Sequence, residues 1–135
     1  FIVGAVADWQ GLSVAKRIVP WGLGVSAAFL GLTALLGGKF IVFTAYAAMV
    51  LLSTLAIYTF LALTHRLKGA AIIALAILLN LVAAGVQASN LSLHFLVPFD
   101  HNGLFHLVQM VSTATLGLGL HLGMNSTQSG KEKQE

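Results

Sequence analysis

Four long runs without a charged side chain, parted by short turns that collect the charge, limit what this chain can become. A helix needs about 20 apolar residues to cross the ~30 Å hydrocarbon core of a bilayer. The runs at 18–38, 40–64, 69–90 and 103–124 each meet that length. In the last of them the only ionisable side chains are His106 and His121, one near each end. Composition agrees: 58% of the 135 residues are hydrophobic and 8% are charged, against about 25% charged in soluble domains. Seven basic and four acidic residues cannot coat a soluble globule of this size. That excludes a soluble enzyme, a disordered chain and a nucleic-acid-binding domain, since the net charge of +3 comes from a few loop and tail residues. The absence of cysteine excludes a disulfide framework, cysteine-ligated zinc and an iron–sulfur cluster.

The expected architecture is all-α, a polytopic transmembrane helix bundle of four spanning helices preceded by a helix remnant. Residues 1–124 form the transmembrane domain and 125–135 a polar tail, mixed in charge and expected to be disordered. Residues 1–7 are apolar but too short to cross, and they stop at the polar, interfacial Asp8-Trp9-Gln10-Gly11. With no initiator Met, this stub reads as the end of an earlier helix, and the chain as the C-terminal part of a longer protein. Gly37-Gly38-Lys39 reads as a tight turn, with Gly able to take positive φ at a helix end. His65-Arg66-Leu67-Lys68 reads as a short basic turn. The connection 89–99 is apolar (Leu91, Leu93, Phe95, Leu96, Val97), so it should lie along the interface or fold back. Asp100, after Pro98, is placed to cap the last helix.

Loop charge predicts the orientation. One side of the membrane receives Lys16, Arg17, Arg66, Lys68, Lys131 and Lys133, and the other Lys39 alone. By the positive-inside bias the basic side, and with it the C-terminus, is cytoplasmic. Trp9 and Trp21 flank the Lys16-Arg17 loop, where interfacial aromatics belong.

Chemistry is concentrated at the start of the last span. Asn102, His106, Gln109 and Thr113 follow i, i+4, i+7, i+11 and share one helix face. Such a stripe should point into the bundle or a wet cavity, because intramembrane polar groups are expensive. Asn80 and Gln87 in the third span are also seven apart, and Gln87 falls at the depth of Asn102 and His106. These six residues predict an outward-facing polar pocket between the third and fourth spans, roofed by the 89–99 segment. Imidazole and carboxylate suit zinc, and Asp100, His101 and His106, with His94 nearby, would supply ligands. His101 and His106 stand about 140° apart on a helix, so they could share a metal only if His101 curled back from the preceding loop. The competing reading makes His106 an interhelical hydrogen bonder and Asp100 a cap. Haem or chlorin ligation needs two imidazoles at one depth, which His65 and His121 satisfy from helix ends. Gly117, Gly119 and Gly123, and likewise Gly22, Gly24 and Ala28, permit close helix contact. Tyr46, Tyr58, Ser53 and Thr54 read as interhelical hydrogen bonders.

The stretch His101-Asn-Gly-Leu-Phe-His106, opening a final helix with a cytoplasmic C-terminus, resembles the last-helix motif of one membrane superfamily. That superfamily holds the alkaline ceramidases and the progestin-and-adipoQ receptors. The resemblance implies a seven-helix protein in which three histidines hold zinc, two of them spaced His-x-x-x-His on the final helix. An Asp and a Ser from earlier helices would assist a water that hydrolyses a lipid amide. His106 maps onto a family ligand; four residues earlier stands Asn102, and Asp8 lies at the end opposite His106.

Two functions follow as expectations. In one, the protein is a non-catalytic membrane subunit or scaffold that packs against partner helices, lipid or pigment. In the other, it is a metal-dependent membrane hydrolase of lipid amides, with His106 and Asp100 at its site.

Overall fold

The computed structural model describes residues 1–38, 40–87, 93–94, 98–99 and 101–131. The protein is all-α, built from α1 (Ile2–Gln10), α2 (Leu12–Leu35), α3 (Phe40–Leu63), α4 (Ala70–Gln87) and α5 (His101–Lys131). Between α4 and α5 the two-residue strands β1 (Leu93–His94) and β2 (Pro98–Phe99) pair antiparallel, Leu93 opposite Phe99 and His94 opposite Pro98. Among the described residues, four helical stretches are long and apolar enough to span a membrane: Leu12–Leu35, Ile41–Leu63, Ala70–Gln87 and Asn102–Met124. Their large side chains stay outward in number, with Trp21 78% and Leu35 86% exposed, as a lipid-facing surface requires. This is the architecture of a multi-pass membrane protein. Asp100, proposed as the cap of α5, lies outside the described residues.

The chain divides into two compact units, Phe1–Ile57 and Tyr58–Glu135, with the boundary inside α3. In the first, α1 folds back on α2 around Gly11 (φ 90°) and buries Ala5 and Ala15. Farther along α2, Ser26 Oγ lies 2.6 Å from Tyr46 Oη of α3. The Phe29 and Tyr46 rings pack with centroids 4.9 Å apart. In the second unit α4 and α5 pack along their lengths, burying Ala70, Ile73, Ala76, Ile77 and Ala83.

Two helices end in the same hydrogen-bonded turn made from different residues. After α2, Gly38 N–H donates to the Thr33 carbonyl (2.8 Å) and Gly37 N–H to that of Ala34 (3.2 Å). These are the paired 6→1 and 5→2 bonds that satisfy the last carbonyls of a helix. Gly37 has φ +71° there, which costs glycine nothing. After α3, Arg66 N–H donates to the Leu61 carbonyl (3.0 Å) and His65 N–H to that of Ala62 (3.1 Å). The left-handed position is now His65, at φ 53°, a conformation that costs an L-residue with a Cβ roughly 1–2 kcal/mol.

Hydroxyls cross these helices by bonding to their own backbone. Ser26, Thr33, Ser53, Thr54, Thr113 and Thr115 each donate to the carbonyl four residues earlier, at 2.7–2.9 Å. In hydrocarbon no water can take that proton, so the local bond makes the residue tolerable.

Two boundaries differ from the sequence expectation. α2 begins at Leu12, so Lys16 and Arg17 stand on a helix rather than in a loop. Both are good helix formers, and their long stems let the charges reach the interface from a helical backbone. α5 continues to Lys131, so part of the segment expected as a disordered tail is helical. Polar residues are compatible with helix beyond an apolar span.

Candidate functional site

The seam between α4 and α5 is built on a spacing of four and three. Gly69, just before α4, and Ile73, Ala76, Asn80, Ala83 and Gln87 along it recur in that alternation, which lines up one helix face. On α5 the matching face carries Ser112, Gly119 and Gly123, at i, i+7 and i+11. All three of these α5 residues are buried.

At its glycine end the seam brings backbone against backbone. A Cβ added to Gly69 would collide with the Gly119 carbonyl oxygen, and Gly69 also has φ +83°. A Cβ on Gly119 would sit 2.7 Å from Ile73 Cγ1 and 3.0 Å from Ile73 N. One on Gly123 would lie 3.4 Å from the Lys68 carbonyl oxygen. Small residues admit such approach, and dispersion between closely packed helices replaces the hydrophobic drive that lipid removes. At the turn before the seam, the Arg66 guanidinium lies 5.4 Å from the centroid of the Phe60 ring, within cation–π range.

Two turns along α5, the seam becomes polar. Ser112 Oγ donates to the Ala76 carbonyl (2.8 Å), and Asn80 Nδ2 donates to Ser112 Oγ and to the same carbonyl (3.2 Å). Ser112 is fully buried, so this triangle is an interhelical bond sealed from lipid. Gln87, two turns beyond Asn80, holds its side-chain Oε1 buried with no hydrogen-bond donor among the described residues.

The predicted pocket residues divide between two faces. Asn80 and Gln87 belong to the α4 seam. Asn102, His106 and Thr113 are exposed and Gln109 is half-buried, on a stripe of α5 centred about 90° round from Ser112. Thr113 Oγ1 is bonded to the Gln109 carbonyl at 2.9 Å. The His106 ring meets Phe105 edge-on at 5.0 Å. The polar contact joining α4 to α5 runs through Ser112, which the amide-and-imidazole pattern passes over. Its signal in the sequence is the repeat Ser112, Gly119, Gly123 on one face.

Of the proposed metal ligands, His106 is on the exposed face of α5 and His101 is the first residue of that helix. Asp100, and the side chains of His94 and His101, lie outside the described residues. Among the described residues there is no group of three His, Asp or Glu side chains placed to hold a metal. His65 forms the left-handed turn after α3, and His121 is exposed on α5.

Comparison with known proteins gives no match to any curated protein or solved structure. A family does match, over residues 1–125, nearly the whole length described above. The chain belongs to DUF6962, a family of unknown function.

Proposed function

We propose that this protein is a non-catalytic membrane subunit or scaffold that packs against partner helices through the outer stripe of α5, with its C-terminus in the cytoplasm. One observation carries the reading. α5 has its small face closed against α4 by Gly119, Gly123 and Ser112, yet it leaves Asn102, His106 and Thr113 exposed a quarter turn away. Imidazole and amide groups facing hydrocarbon seek polar partners, and a second helix with donors and acceptors supplies them. The orientation is supported by six basic residues (Lys16, Arg17, Arg66, Lys68, Lys131, Lys133) against Lys39 alone.

The chain has no cysteine, which makes a single-cysteine scan direct. Cysteines placed at 106, 109 and 113 should crosslink to a neighbouring protein in native membranes. Cysteines at 107, 110 and 118, on exposed apolar positions of the same helix, should not. Crosslinking that is equal at all six positions, or absent at all six, rejects the partner-helix reading. Impermeant reagents applied from outside should fail to label a cysteine at 133; labelling there reverses the orientation.

A further inference from the structure

Unit 1 carries a second feature, unrelated to the α5 stripe. Along α2 runs a crevice of about 260 Å³, walled by α1 at Ile2, by α2 at Ile18 and Val25, and by α3 at Tyr46 and Val50. A second, more open one of about 560 Å³ adjoins it across Trp21 and Val25 and extends past Gly24 to Ala28. A Cβ at Gly22 or Gly24 would meet nothing within 4 Å, so among the described residues no side chain of this unit occupies the space beside these glycines. Their polar walls are already satisfied: Ser26 Oγ bonds to the Gly22 carbonyl (2.8 Å) and meets Tyr46 Oη, and Ser53 Oγ bonds to the Met49 carbonyl. The crevice therefore calls for an apolar occupant, unlike the α5 stripe.

Charge at the rim narrows the choice. Arg17 stands one turn before Trp21 on the same side of α2 and is exposed, whereas Lys16, also exposed, projects from the opposite side of the helix. Helical side chains lean toward the N-terminus, which carries Arg17 away from the hydrocarbon and toward the interface. Asp8 is the only acid in residues 1–57, so this end stays positive. From Ile18 to Ala28 is ten residues, about 15 Å of helix, which equals one leaflet of a ~30 Å hydrocarbon core.

We propose that this face of α2 binds an anionic glycerophospholipid, with its phosphate against Arg17 and an acyl chain in the crevice past Ile18, Gly22 and Val25. The Arg17 guanidinium at the surface supplies electrostatic selectivity, and the open glycine positions supply the room.

The test uses the full chain, reconstituted with phosphatidylglycerol or phosphatidylcholine, and counts retained lipid by native mass spectrometry. The expected result is one phosphatidylglycerol per chain in preference to phosphatidylcholine. The variant Arg17→Gln should cut that preference by roughly 5-fold, the factor one such charge supplies. Gly22→Leu, whose side chain enters open space, should lose the retained lipid while thermal unfolding stays unchanged. Should Gly22→Leu fail to fold, the charge variant alone decides. Equal retention of the two lipids, or an undiminished preference in the charge variant, overturns the proposal. So does a folded Gly22→Leu that keeps its lipid. A protein that crosslinks to Gly24→Cys in native membranes, with no lipid retained, also overturns it and makes this face a helix-packing site.

Discussion

Gly119 and Gly22 are both glycines inside apolar helices, and a sequence reading gives them the same role. In the second unit, Gly119 lies so close to α4 that a single added carbon would press on Ile73, and Gly69 is closed in the same way by the Gly119 carbonyl. In the first unit, Gly22 and Gly24 face open space. The difference lies in the companions. α4 and α5 carry small residues on both facing stripes, with Asn80 and Ser112 to lock the register. α2 has small residues too, but its contact with α3 goes through the large Phe29 and Tyr46 rings. A small residue allows close approach; a second small residue opposite it makes the approach happen.

Bulk added at the closed glycines should have the largest effect. Gly69→Ala meets both the Gly119 carbonyl and a left-handed backbone, and Gly119→Val overpacks against Ile73. Each should lower stability by about 2–4 kcal/mol, read as the unfolding midpoint in detergent. A loss below about 0.5 kcal/mol in both would mean the helices are not in backbone contact.

Next in size is the polar lock. Asn80→Leu and Ser112→Ala should each cost about 1 kcal/mol, with a double-mutant coupling near the ~0.6–1.7 kcal/mol measured for interhelical bonds in membranes. Additive effects would show the two side chains do not meet.

The turns offer a matched pair. Gly37 and His65 occupy the same left-handed position, so His65→Gly should raise stability by up to about 1 kcal/mol. A loss of stability would assign the imidazole an interaction that outweighs its backbone strain.

The smallest effect belongs to the open glycine. Gly22→Ala should cost nothing and should gain no more than the ~1 kcal/mol by which Ala exceeds Gly in helix propensity. A loss comparable to that of Gly119→Val would erase the contrast between the two units.

The spanning helices were legible because absence of charge over about 20 residues is a strong physical signal. The start of α2 was not, since Lys16 and Arg17 look like loop residues until their stems are allowed to snorkel. At the candidate site, Asn80 was legible as a polar residue that needs a partner, but Ser112 was not. A serine in a membrane helix can satisfy itself on the preceding turn, as Ser26 does on Gly22, so its presence says little about the face it occupies. Asn102, His106, Gln109 and Thr113 do share a face, as their spacing requires, but helical periodicity alone does not fix which way that face points.

Elemental analysis of the purified protein beside its His106→Gln variant separates a packing role for His106 from a metal-ligand role. A packing role predicts no stoichiometric zinc in either, and a stability difference of only about 0.6 kcal/mol, because an amide can replace one imidazole hydrogen bond. One zinc per chain that disappears in His106→Gln, with chelator lowering the unfolding temperature of the native protein, would contradict it and support a metal-dependent lipid-amide hydrolase.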